Sequence, residues 1–331
     1  MNQVPLLDIS PFVDGSERGK REVARAIAEA CESIGFFAVT GHGVAPETVD
    51  SLREVSHDFF ARPMDEKLAA EHPQAGTPRG YRVFAGEALG RAGGGEAEPD
   101  LKEFYHIGPD DWPDEAYYTS AEGQRYFIAN LWPEAPAGFR AAALRYYRAM
   151  ETLEGHVLHA CALALDLDER FFDDKVDRHV SAMRINHYPA QDTPPPAGRI
   201  RAGAHTDYGM MTILMGENEP GSLQVRTLAG DWVDVETRPE FFVVNIGDLM
   251  MRWTNDRWLS NMHRVVNPPP EAASTAGRIS IAFFHQPNYD AVIECIATCN
   301  GPNRAALYPP VRSGDYRDQK YRETLVAGEV S

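Results

Sequence analysis

The chain is short of long apolar runs, of cysteine and of basic charge, and each shortage removes a class of function. Nowhere in its 331 residues is there a stretch approaching the ~20 apolar residues of a membrane span. Residues 1–6 lack the basic and apolar regions of a secretory signal, so the expected compartment is the cytoplasm. The four cysteines, Cys31, Cys161, Cys295 and Cys299, are scattered, and the last two lack the further partners a structural zinc site needs. They read as reduced, mostly buried thiols. Lysine and arginine number 32 against 49 aspartates and glutamates, a net charge of −17, which argues against a nucleic-acid backbone or an anionic membrane as partner. Small molecules remain. The 43% hydrophobic and 24% charged composition is that of an ordinary globular protein with a large core, expected as a monomer or weak homo-oligomer.

What is present changes texture along the chain. Val4 to Asp8 reads as a strand, Ser16 to Ile34 as a helix with Val23, Ile27, Ala30 and Ile34 on one face, and Phe36 to Thr40 as a second strand. Pro46 can open a helix that runs to Ala61. Between Gln74 and Pro99 glycine, alanine and charge dominate, with Gly93 to Gly95 as the extreme, and a mobile loop is expected. A long helix follows from Gly138 to Leu165. After Val180 come short β-rich runs: Met183 to Tyr188, Met211 to Met215, Leu223 to Arg226, Trp232 to Val235, Phe241 to Ile246, Arg278 to His285 and Ala291 to Ile296. Many short strands between turn residues suggest a sandwich or barrel. Ser313 can cap a last helix through Tyr316, Tyr321 and Leu325.

The chemistry concentrates in a few positions. His205 and Asp207 are separated by one residue, so in an extended segment both side chains share a face. With His263 from a neighbouring strand they make two imidazoles and one carboxylate, a three-ligand set that leaves coordination positions open. Zinc fits the same donors. Arg278 and Ser280 alternate within an apolar strand, and a guanidinium beside a hydroxyl is a receptor for a carboxylate, which a closed zinc site does not need. Arg184, Asn186 and Tyr188 share one face of another strand.

Through Arg184-Ile-Asn-His-Tyr-Pro189, Gly203-Ala-His-Thr-Asp-Tyr-Gly209, Gly221-Ser-Leu-Gln-Val225, Asn245-Ile-Gly-Asp248, Asn261-Met-His-Arg-Val265 and Arg278-Ile-Ser-Ile-Ala-Phe-Phe284, the chain resembles the isopenicillin N synthase-like branch of the iron(II)- and 2-oxoglutarate-dependent dioxygenases. Val4 to Ser10 and Gly35 to Gly43 look like that family's opening strands. The resemblance implies a mainly β fold with flanking helices: a double-stranded β-helix (jelly roll) at 178–290, an N-terminal α/β extension at 1–120, a helical link at 121–177, and a C-terminal strand and helix at 291–331 as a candidate lid. It implies iron(II) on His205, Asp207 and His263, and 2-oxoglutarate on Arg278 and Ser280 with Tyr188 and Asn186. It also implies consumption of O2 with release of succinate and CO2 as a small molecule, amino-acid-like or a specialised metabolite, is hydroxylated, desaturated or cyclised. Substrate contacts are expected from Phe284, Arg184, Tyr208, Tyr81, Arg82, Phe104 and Tyr105, while Met211, Phe84 and His106 fall in the same regions. Asp248 is expected to hold a turn, and His42, His159 and His187 to be structural. The rivals are an oxidase that uses iron and O2 without the oxoacid, a variant that makes ethylene from 2-oxoglutarate, and a metal-binding jelly-roll sensor.

Overall fold

The computed structural model describes residues 3–324 apart from 75, 91–97, 192, 194, 197 and 302–303. The expected glycine loop at Gly93 to Gly95 and Leu325 therefore lie outside the described residues. Strands come first from the N-terminal region, β1 (Leu6–Asp8), β2 (Phe36–Thr40), β3 (Gly80–Arg82) and β4 (Glu103–Ile107). Next are β5 (Ala182–Tyr188), β6 (Ala202–His205), β7 (Met211–Gly216), β8 (Leu223–Arg226), β9 (Trp232–Asp234) and β10 (Phe242–Ile246). The last are β11 (His263–Val265), β12 (Arg278–His285), β13 (Val292–Ile293) and β14 (Val311–Arg312).

They form an eight-stranded sheet in the order β1-β2-β10-β7-β12-β5-β4-β3, a four-stranded sheet in the order β6-β11-β8-β9, and a small β13-β14 pair. All four N-terminal strands join the larger sheet, so the N-terminal region completes the sheet that carries the site. The two main sheets do not close into a barrel among the described residues.

Alternation along the strands sorts the residues into two cores. Phe37 and Val39 of β2, Met183 and Ile185 of β5, and Ile279, Ile281 and Phe283 of β12 join one core. That core also takes the buried faces of the helices Glu17–Ser33, Pro46–Phe60 and Phe139–Ala164. Residues of opposite parity, among them Phe36, Ala38, Tyr188 and Val243, meet Leu223, Val225 and Val265 of the smaller sheet in a second core. The order is thus helices, large sheet, small sheet.

Local signals explain the ends. Ser16 caps its helix by accepting from the backbone N–H of Gly19 at 3.1 Å, and Pro46 opens the next one. The run Ala291 to Ile296 yields only the two-residue β13, because its partner β14 is equally short. A helix at Asp248–Trp253 stands where the sequence suggested only a turn. The cysteines are free, and Cys31, Cys161 and Cys299 are buried. Among the described residues no helix is long and apolar enough to cross a membrane.

Candidate active site

A cavity of about 160 Å³ opens between the two sheets. Strand β6 ends at His205, and β11 pairs with it so that His263 lies directly opposite. The register shifts between His263 and Val265, an irregularity of the kind that collects beside functional sites. Asp207 is not in the strand with His205, as the spacing suggested, but just beyond its end. The ligand atoms of His205, Asp207 and His263 nevertheless all lie within 4.8 Å of one another.

The segment carrying Asp207 is clamped from behind. At the start of helix Asp248–Trp253 the N–H groups of Asp248 and Leu249 donate to the carbonyls of Asp207 and Gly209 at 2.7 and 3.1 Å, satisfying donors that a helix start otherwise leaves unpaired. Gly247 permits this approach: a Cβ there would stand 2.3 Å from the Gly209 carbonyl oxygen. The Asp248 carboxylate accepts from Ser260 Oγ at 2.7 Å, Thr206 Oγ1 at 3.2 Å and Lys320 Nζ at 2.8 Å. It thus holds the turn, as the sequence suggested, and the residue between the two predicted ligands as well.

Orientation of the three side chains follows from their hydrogen bonds. Asp207 Oδ2 accepts from Thr212 Oγ1 at 2.5 Å and Asn245 Nδ2 at 2.7 Å, and these two donors are cross-strand neighbours on β7 and β10. Oδ1 stays free of them, 3.8 Å from His263 Nε2. Burial pushes the Asp207 carboxyl up, but the two imidazoles with Asn245 and Thr212 outweigh it and hold it below its usual value. Nδ1 of His205 lies 2.7 Å from the Gly203 carbonyl, and Nδ1 of His263 lies 3.2 Å from that of Asn261. A neutral imidazole that donates from Nδ1 presents the lone pair of Nε2 to the centre. Burial first, then His263, pushes His205 down to about 4, so the neutral form is the stable one.

Beside this cluster β5 and β12 face each other, pairing Arg278 with Tyr188 and Ser280 with Asn186. All four side chains are buried and line the cavity. Arg278 is 1% exposed; among the described residues its Nε has no hydrogen-bond partner, and Nη1 makes a long contact of 3.4 Å to Ser222 Oγ. Its guanidinium stacks 5.2 Å from the Tyr188 ring. Burial holds its pKa below the ordinary value. Glu217 and Glu219 act on it from a distance, but among the described residues it forms no ion pair; a buried cation without one is expensive, and a carboxylate arriving in the cavity would supply it.

The expected substrate residues divide. Phe284, Arg184 and Tyr208 line the cavity, while Arg82 and Phe104 line a smaller adjoining one that shares Glu87, Leu89, His106 and Arg184 with it. Tyr81 and Tyr105 are corrected: each is 0% exposed in the helix-side core. They pair with each other across β3 and β4, and strand parity turns both away from the cavity. Their hydroxyls donate to Glu103 and to the Leu131 carbonyl. Arg184 is already matched, with Glu87 at 2.9 Å, and Glu87 also holds Lys102 at 3.0 Å. Burial alone would raise the Glu87 carboxyl, but the two cations outweigh it and hold it down to about 2. Neither Glu87 nor the orienting Thr212 was legible in the sequence. Asn245 was visible only as part of a motif. His42 faces the Glu240 carbonyl, His159 pairs with Asp173 and His187 with Glu103, which are structural contacts.

Two neutral imidazoles and a carboxylate beside a buried guanidinium that forms no ion pair among the described residues fit a non-haem iron centre with an oxoacid receptor. The comparisons with known proteins agree. The 2OG-Fe(II) oxygenase superfamily model matches residues 179–287, and the model of the N-terminal region of non-haem dioxygenases in morphine synthesis matches residues 4–135. The chain is 35% identical to the 2-oxoglutarate-Fe(II) type oxidoreductase hxnY of Emericella nidulans, covering 98% of this chain and 91% of that one. It is 31% identical to the homoarginine-6-hydroxylase 2-ODD-233 of Oryza sativa subsp. japonica, covering 98% of each. A full-length Neurospora crassa protein solved in complex with alpha-KG superposes with a TM-score of 0.85 at 32% identity, covering 97% of this chain and 96% of that one. The chain belongs to the 2OG-Fe(II) oxygenase superfamily. It is an iron(II)- and 2-oxoglutarate-dependent oxygenase of small molecules built on the jelly-roll core of those neighbours.

Proposed function

We propose that His205, Asp207 and His263 hold the iron, that Arg278 and Ser280 with Tyr188 bind the distal carboxylate of 2-oxoglutarate, and that the outcome is hydroxylation of the substrate. The observation that carries this reading is Arg278, a fully buried guanidinium with an orphaned Nε on the cavity wall shared with the metal-ligand cluster. When bound, iron with O2 and 2-oxoglutarate supplies the oxidising power, and the oxoacid leaves as succinate and CO2.

The chain's own residues bind, orient and exclude water. Thr212 and Asn245 fix one oxygen of Asp207, and the Gly203 and Asn261 carbonyls fix the tautomers of the two histidines. Leu89, Leu214, Leu223 and Val265 line the same cavity and keep it dry around the reacting groups. Asn186, opposite Ser280, is assigned to the co-substrate's surroundings. Arg184 is assigned a shaping role: clamped by Glu87, it stacks 4.3 Å from the Phe104 ring and 5.7 Å from Phe284. The preference for hydroxylation over desaturation or cyclisation is supported by the hydroxylases among the full-length relatives.

The test is aerobic turnover with iron(II) and labelled O2 against a metabolite panel. Succinate formed with one labelled oxygen in the product supports the reading. Product formed equally well without 2-oxoglutarate sinks it in favour of an oxidase.

A further inference from the structure

Of the four lysine and arginine side chains on the cavity wall, two have carboxylate partners among the described residues. Arg184 is held by Glu87, and Lys102 by Asp100 and Glu87. Under the reading above, on which this inference rests, Arg278 takes the distal carboxylate of the co-substrate, while Asp207 and the chelating carboxylate balance the metal. Arg317 is left over. It is carried by the helix Ser313–Thr324, lines the cavity, is half-buried and lies 5.4 Å from the Tyr126 ring. Burial pulls its guanidinium below the ordinary range; Tyr126, Tyr321 and Arg125 act on it, as do Arg79 and His106, and no carboxylate is among them. The next residue, Asp318, is engaged by Arg125 and Tyr126.

Two further polar atoms on the same wall have no partner among the described residues. His106 Nε2 and Gln286 Oε1 are both orphaned, their residues are 7% exposed, and both line the cavity. His106 pairs with Arg184 across β4 and β5, four residues from Tyr188, which is about 13 Å along an extended strand. This region is therefore separate from the Arg278 receptor. It is also electropositive: Arg184, Arg79, Arg317 and Arg82 all act on His106 and, after burial, hold its imidazole neutral. Among the described residues Glu87 is the one carboxylate on the cavity wall besides Asp207, and it is spent on Arg184 and Lys102. In a chain of net charge −17, a cavity with a surplus cation selects for an anion.

We propose that Arg317 receives a carboxylate of the prime substrate, with His106 and Gln286 hydrogen-bonding its polar substituents, so that the protein oxidises a small carboxylic acid. The test uses the full chain with iron(II) and 2-oxoglutarate under anaerobic conditions. Matched probes (benzoate with benzamide, phenylacetate with phenylacetamide, hexanoate with hexanamide) are titrated calorimetrically, and succinate release is then read after admitting oxygen. At least one acid is expected to bind about ten-fold or more tightly than its amide, the scale of one charge-assisted pair. R317Q levels that pair and R317K retains part of the difference. The proposal is overturned if no acid outbinds its amide, or if R317Q keeps the wild-type ratio. Should R317Q fail to fold, R317K decides: a reduced ratio supports the assignment and an unchanged one overturns it. The co-substrate reading fails separately, if R278Q binds 2-oxoglutarate as tightly as the wild type.

Discussion

The two faces of β5 and β12 are built from the same strands and do opposite things. Towards the helices they present Met183, Ile185, Ile279, Ile281 and Phe283, all 0% exposed and apolar, and at the strand ends two histidines that are each matched by a carboxylate, His187 by Glu103 and His285 by Glu154. Towards the cavity they present Arg184, Asn186, Tyr188, Arg278, Ser280, Ala282 and Phe284, including a guanidinium whose Nε is left unpaired. An apolar face stabilises by burial, whereas an unpartnered buried cation costs stability. The sheet tolerates the second because it carries the first. The groups on the cavity face without partners among the described residues include those assigned above to the co-substrate and the substrate.

Four substitutions put that contrast at risk. Asp207→Ala has the largest expected effect: it removes the only carboxylate of the ligand cluster, so iron retention and succinate formation should both be lost, as read by metal analysis and turnover. Phe283→Ala, on the other face, removes a ring packed 5.1 Å from Tyr147 and should cost about 3–5 kcal/mol by denaturant titration. The protein that stays folded should bind 2-oxoglutarate as before, and a large loss of affinity there would mean the faces are not separable. Asn245→Ala leaves Thr212 as the one side chain holding Asp207 Oδ2 and should weaken iron binding about 10–100-fold, measured by competition with a chelator. Tyr105→Phe is the smallest: it forfeits one hydrogen bond to the Leu131 carbonyl, worth about 1 kcal/mol, and should leave KM unchanged. A raised KM would return Tyr105 to the substrate pocket.

The contrast also explains what could be read in advance. Alternation is a local property, so the cavity face of β12, the face of β5 carrying Arg184, Asn186 and Tyr188, and the bounds of the long helices were all visible as spacing. Pairing between distant segments is not local. Nothing near Glu87 signals that it will clamp Arg184 and Lys102, nor does anything near Thr212 point to Asp207. The helix Asp248–Trp253 was hidden because its role is tertiary: its first N–H groups close on the carbonyls of the Asp207 loop. Tyr81 and Tyr105 were assigned by region instead of by parity, and the register of β3 on β4 reverses the assignment. Arg317 depends on where a C-terminal helix docks, which its own sequence does not state.

The most direct measurement of the central claim is thermal unfolding of wild type and Arg278→Met, each with and without 2-oxoglutarate at fixed iron(II). If Arg278 is a buried cation kept for the co-substrate, the methionine variant melts above the wild type when the oxoacid is absent, because an uncompensated charge has been removed. The stabilisation that 2-oxoglutarate gives the wild type should vanish in the variant. An equal 2-oxoglutarate shift in both proteins would contradict the account.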